Sequence, residues 1–153
     1  MVKEFKSVDD ILDFAIKNEE EAVSFYTDLS KKMKKPAMVQ MFKDFAMEED
    51  GHKAKLIDIK SGRLLITSKE KVIDLKISDY MDTNIQIKED LDYQDALVLA
   101  MRKEKQAFKL YSDLASKTDN EHIKKLLLAI AQEEAKHKLR FELEYDEIVL
   151  TEN

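Results

Sequence analysis

A chain of 153 residues with 44% apolar side chains has material for one core, and two Gly and one Pro are too few for the turns of a β-sandwich or barrel. A net charge of -6 with acids and bases interspersed excludes a broad basic face for nucleic acid, and no apolar run of about 18 residues offers a membrane span. The absence of Cys excludes disulfides, thiolate metal sites and a Cys nucleophile.

Four helices are predicted in chain order. Met1 to Lys6 lack the apolar core of a signal peptide, so a cytoplasmic location is expected. Ser7 is a plausible N-cap for the first helix, with acids in its first turn, and that helix runs to about Lys35. Pro36 suits the opening turn of the second, and Gly62 is a candidate for its C-cap. The third begins near Asp90 to Asp92 and fades at Lys117. After a Thr118-Asp119-Asn120 turn the fourth runs towards Leu150. The expected organisation is one all-α domain, a four-helix bundle over residues 1–153. It has a hairpin at about 8–62, a long crossover at about 63–89 and a hairpin at about 90–150. Within the crossover, Lys71 to Ile77 alternate as an extended stretch would.

The chain repeats itself. Shifted by 85 residues, positions 19–53 carry eleven identities without a gap, among them Glu19/Glu104, Ala22/Ala107, Tyr26/Tyr111, Glu48/Glu133, Glu49/Glu134 and His52/His137. Each helix shows an inward seam at alternating spacings of three and four. The seams are Leu12, Ala15, Glu19, Ala22, Tyr26, Leu29, Met33; then Met38, Phe42, Phe45, Glu49, His52, Leu56; then Leu97, Ala100, Glu104, Ala107, Tyr111, Leu114; and Ile123, Leu127, Ile130, Glu134, His137, Phe141. Around one level, each seam carries Glu or Glu-x-x-His. Each of these glutamates lies 15 residues from its hairpin turn, roughly 22 Å along a helix, so both hairpins bring their carboxylates to the same depth.

Buried carboxylates are costly without compensating positive charge. One Glu from each of two helices, with Glu-x-x-His from each of the other two, is the ligand set of a carboxylate-bridged dimetal centre. Glu19, Glu49, His52, Glu104, Glu134 and His137 are therefore the candidate metal ligands and carry the expected chemistry. Four carboxylates against two divalent cations sum to zero with both imidazoles neutral. The donor set suits two iron ions, with manganese or zinc as alternatives. Glu48 and Glu133, one position off the seams, are read as exposed or as partners of the ligands. Tyr26 and Tyr111 are read as core aromatics or as hydrogen-bond donors to a ligand carboxylate. His122 is read as a surface residue, Met38, Met41 and Met47 as packing residues, and the acids after Phe141 as a solvated face.

The pieces Glu19-x-x-Ala22-x-x-Phe25-Tyr26, Glu49-x-x-His52, Glu104-x-x-Ala107-x-x-Leu110-Tyr111 and Glu134-x-x-His137 resemble the ferritin-like superfamily, rubrerythrin-like proteins most closely. The resemblance implies a non-haem diiron site at the six residues and reduction of peroxide or O2, oxidation of ferrous iron, or both. Iron binding or storage without turnover is the alternative. It also implies a homodimer. Rubrerythrin carries a Cys-rich rubredoxin domain; this chain has no Cys, so a separate electron donor, a rubredoxin-like protein or a reductase, is expected. Rubrerythrin also has a further Glu where this chain has Ala107, so the set of six is more like a bacterioferritin-type centre.

Overall fold

A computed structural model describes residues 8–62, 87 and 90–152. The expected crossover at 63–89, with its extended stretch at 71–77, lies outside the described residues apart from Ile87, as does Ser7. Four helices account for nearly all of the rest: α1 (Val8–Lys32), α2 (Pro36–Gly62), α3 (Tyr93–Lys117) and α4 (Glu121–Glu152).

Local chemistry places their ends. Asp9 and Asp10 stand in the first turn of α1 and Lys31 and Lys32 in its last, each sign complementing the helix dipole. Pro36 opens α2, where its missing N–H would have no partner anyway. Gly62, the candidate for its C-cap, is the last residue of that helix. Asp92 caps α3, its Oδ1 accepting the backbone N–H of Asp95 at 2.7 Å. Asn120 caps α4 in the same way, accepting from Ile123 N–H at 3.1 Å.

Helices α1 and α2 pack along their length as one hairpin, and α3 and α4 as the other. Two buried contacts set the hairpins against each other: Tyr26 meets Glu104 and Tyr111 meets Glu19. The later α1 residue thus meets the earlier α3 residue and the earlier meets the later, so these two helices run antiparallel. The bundle is built on the predicted seams, whose residues are buried except for the half-buried Met38 and Ala107. Ile11, Met41, Ile59, Ala96, Leu99 and Leu110 widen the buried faces beyond those narrow stripes. A polar layer divides the apolar interior into two clusters, one towards each hairpin turn. Among the described residues no helix is long and apolar enough to cross a membrane.

Candidate metal centre

The polar layer consists of the six residues picked out by the repeat. Glu19, Glu49, His52, Glu104, Glu134 and His137 are each between 1% and 6% exposed. Glu19 comes from α1 and Glu104 from α3. Spacings of three put Glu49 beside His52 on α2 and Glu134 beside His137 on α4. Their donor atoms fall into two interlocking groups. Glu19, Glu49, His52 and Glu134 each offer one atom within 4.8 Å of the others, and so do Glu49, Glu104, Glu134 and His137. Glu49 and Glu134 belong to both groups. Each group also takes one carboxylate and one imidazole from a single hairpin: Glu19 with His52, and Glu104 with His137.

Both imidazoles turn Nδ1 inward. His52 Nδ1 stands 3.0 Å from Glu134 Oε1 and 3.8 Å from both Glu19 Oε2 and Glu49 Oε1. His137 Nδ1 stands 3.3 Å from Glu49 Oε1, 3.4 Å from Glu104 Oε1 and 3.7 Å from Glu134 Oε1. The two rings are nearly parallel, with centroids 6.3 Å apart.

The outward atoms are tied across the hairpins. His52 Nε2 lies 2.5 Å from Glu133 Oε2, and His137 Nε2 lies 2.8 Å from Glu48 Oε2. These glutamates remain half in water, 47% and 55% exposed, so each joins the buried site to the surface. An imidazole that donates from Nε2 to a carboxylate keeps its lone pair on Nδ1, the atom facing the four buried carboxyls. The tyrosines do the same for carboxylates. Tyr26 donates to Oε1 of Glu104, and Tyr111 to Oε1 of Glu19. In every case the support comes from the opposite hairpin. Helical spacing ranks a residue's neighbours on its own helix and is silent about partners across the bundle. The repeat identity of Glu48 with Glu133 was the available signal, since both are off the seam yet matched.

Several expectations meet a different environment. Met47 is 71% exposed and packs no core, whereas Met41 is buried and Met38 half-buried. Among the acids after Phe141, Glu144 is half-buried and accepts from the Tyr93 hydroxyl at 3.0 Å. His122 is exposed.

The electrostatics of the layer reflect its crowding. Burial, then the charges on Glu49 and Glu104, hold Glu19 well above the usual carboxylate range. Burial and the neighbouring carboxylates do the same to Glu134, and burial with Glu49 raises Glu104. Burial pushes Glu49 upward too, but His137, Glu19 and Glu134 facing it bring it below its ordinary value. His137 moves the other way. Burial would lower it, but in the metal-free chain the Glu104 and Glu49 carboxylates beside it outweigh burial and raise it to about 10. Burial pushes both tyrosines far up, so they stay protonated as donors.

Seven buried side-chain atoms in the described residues find no hydrogen-bond partner. They are Glu19 Oε2, Glu49 Oε1, His52 Nδ1, Glu104 Oε2, both oxygens of Glu134 and His137 Nδ1. All belong to the six residues. Buried polar atoms are ordinarily satisfied, so a concentration of lone pairs turned on one another calls for cations between them. Oxygen and imidazole donors with no thiolate fit iron, manganese or zinc.

A four-helix bundle with paired glutamates and Glu-x-x-His pairs across its core is the ferritin-like architecture. The chain is similar to a protein from Thermotoga maritima assigned to the ferritin-like diiron-carboxylate proteins, with a TM-score of 0.74 at 24% identity over 94% of this chain and 97% of that one. It is also similar to a hypothetical protein from Pyrococcus furiosus, with a TM-score of 0.70 at 25% identity over 92% of this chain and 89% of that one. No functionally curated protein matches it significantly. The chain belongs to the rubrerythrin family, whose model matches residues 10–145.

Proposed function

We propose that this chain is a non-haem diiron-carboxylate oxidoreductase that reduces peroxide or O2, oxidises ferrous iron, or both. The observation that carries this reading is the set of seven unpartnered donor atoms, all turned into one buried layer. Glu19 and His52 would hold one iron at its outer side, Glu104 and His137 the other, and Glu49 and Glu134 would be shared. Iron held there would supply, as a ferrous pair, the two electrons that with two protons convert hydrogen peroxide to two waters.

The protein's own groups prepare that chemistry. Glu48 and Glu133 fix the ring orientation and the tautomer of His137 and His52. Tyr26 and Tyr111 each occupy one oxygen of a terminal carboxylate, leaving Oε2 of Glu104 and Glu19 free to bind. The aliphatic and aromatic layers above and below exclude bulk water, which strengthens every charge interaction in the site. Electrons would come from a separate donor, since the chain has no Cys to hold a rubredoxin-type iron. Action as a cytoplasmic homodimer completes the proposal.

The test is anaerobic loading with ferrous iron, a count of metal per chain, and optical spectra after separate additions of peroxide and O2. Two irons per chain and a new near-ultraviolet absorption on oxidation support the reading. Failure to retain metal discards it. Many irons per chain in a cage-sized particle would replace it with storage.

A further inference from the structure

On the side away from the imidazoles a cavity of about 20 Å3 lies between α1 and α3. Oxygen-bearing side chains of all four site glutamates, Glu19, Glu49, Glu104 and Glu134, line its inner end, and no histidine does. Asn18, Lys103 and Gln106 stand among its remaining walls and are less buried than the glutamates. Lys103 is steadied by the ring of Phe25, with Nζ 5.8 Å from the centroid. The space is small. A water needs about 10–15 Å3, so the cavity takes one or two water-sized molecules and nothing bulkier.

Two residues make that space. Ala22 and Ala107 both line it, and they are repeat mates 85 positions apart on antiparallel helices. The Tyr26–Glu104 and Tyr111–Glu19 contacts bracket them, so the two methyl groups fall midway between, near the pseudo-two-fold axis. Every other inward position of this stretch carries a carboxylate, a phenol or a bulky apolar group. At these two, the side chain ends at Cβ and the helices leave a gap that reaches the carboxylates.

We propose that this gap is the entry port for the oxidant, and that Ala22 and Ala107 set its size limit at a slender molecule no longer than two waters end to end, two or three heavy atoms in a line. The proposal rests on the diiron reading above and narrows it. Hydrogen peroxide and O2 pass; alkyl hydroperoxides and organic substrates that need a pocket beside the metals do not. The polar wall of Asn18, Lys103 and Gln106 favours a small hydrogen-bonding molecule such as peroxide at the outer end.

The experiment uses Ala22→Leu and Ala107→Leu, each of which adds three carbons to a space with no room for them. Cobalt(II) first reports metal stoichiometry, and azide, a small linear anion, is then titrated against the cobalt bands. Both leucine variants should bind two cobalt ions per chain yet lose about tenfold in azide affinity, since overpacking of this size costs about a decade. With iron, their oxidation by hydrogen peroxide should slow by a similar factor. The wild-type protein should react much faster with hydrogen peroxide than with tert-butyl hydroperoxide, and a double Ala22→Gly, Ala107→Gly variant should narrow that ratio. Two metals per chain with unchanged azide affinity in the leucine variants would overturn the port while leaving the diiron reading intact. Equal wild-type rates with the two hydroperoxides would overturn it as well. A wild-type protein that binds no metal at all would instead remove the diiron reading, and the port with it. If the leucine variants lose metal, the glycine pair decides: an unchanged hydroperoxide ratio rejects the port.

Discussion

The two ends of the bundle flank one ligand layer and pack against it with different materials. Towards the first hairpin turn the core is aromatic. Phe25, Tyr26, Phe42, Phe45 and Phe141 stand ring against ring, with contacts such as Tyr26–Phe141 at 6.0 Å and Phe45–Phe141 at 4.7 Å, and with Met33 and Met41 filling between them. Towards the second turn the core is aliphatic, with Ile11, Leu12, Leu56, Ile59, Leu110, Leu127 and Ile130 surrounding Tyr111. The repeat makes the contrast direct. Phe25 corresponds to Leu110, Phe42 to Leu127, Phe45 to Ile130 and Phe141 to Leu56, while the glutamates, histidines and tyrosines between them are identical. Packing asks only that volume be filled at native density, which many side chains satisfy. A coordinated ion asks for particular atoms at particular places, which few do. The difference reaches the site at one point, where Phe45 stands edge-on to the His137 ring at 4.6 Å.

The sharpest way to break this comparison is at a shared ligand. Glu134→Ala removes a donor from both groups and should abolish binding of both metals, whereas Glu104→Ala should spare the group of Glu19 and His52. Metal counts on dialysed protein decide, and equal retention by the two variants contradicts the sharing of Glu134.

Titration of the metal-free protein comes next. Glu19, Glu104 and Glu134 hold protons that the unfolded chain releases near pH 4.5, so the folded state binds more protons and stability falls as pH rises past that value. His137 adds to the same trend: its contribution is complete below 6.5 and is lost as pH climbs towards 10. Glu49 opposes the trend, but it is one group against four. Chelator-treated protein should therefore melt lower at pH 9 than at pH 6, and saturating metal, which takes the place of the protons, should reverse the order. A metal-free melting temperature that rises over this range would contradict the crowding of the layer.

Core truncation tests the packing half of the contrast. Phe42→Ala should cost about 3–5 kcal/mol and its repeat mate Leu127→Ala about 2–5 kcal/mol in urea unfolding. Both should keep two metals per chain, because neither touches a donor. Loss of metal in Phe42→Ala alone would show that the ring stack under Tyr26 also aligns Glu104.

Tyr26→Phe and Tyr111→Phe should each cost about 1–3 kcal/mol by leaving a buried carboxylate oxygen unpaired. Similar losses in both would mean that the surroundings, rings or aliphatics, do not matter to the bond. The smallest change belongs to Glu48→Gln and Glu133→Gln, half-exposed residues whose loss should weaken metal binding about tenfold without changing the fold. Unaltered affinity would assign these contacts to the surface alone.

Much of this molecule was legible in its residues because a helix has a fixed period. Spacings of three and four marked the seams, the 85-residue repeat singled out Glu19 from Glu20 and Glu21, and equal distances from two turns put four glutamates at one depth. Those are relations within one helix or one hairpin, where sequence separation converts to distance at 1.5 Å per residue. What lay beyond reach was which side chain meets which across the two hairpins. Tyr26 supports Glu104 and not its own helix-mate Glu19, Glu48 orients His137, Glu133 orients His52, and Ala22 meets Ala107 across a gap. No spacing encodes these, because the rotation and offset of two packed hairpins follow from how their whole surfaces interdigitate. The sequence by itself determined which six side chains would be buried and at what height; the tertiary structure alone decided which atom of each faces its neighbours, which carboxylates are shared, and where the site opens.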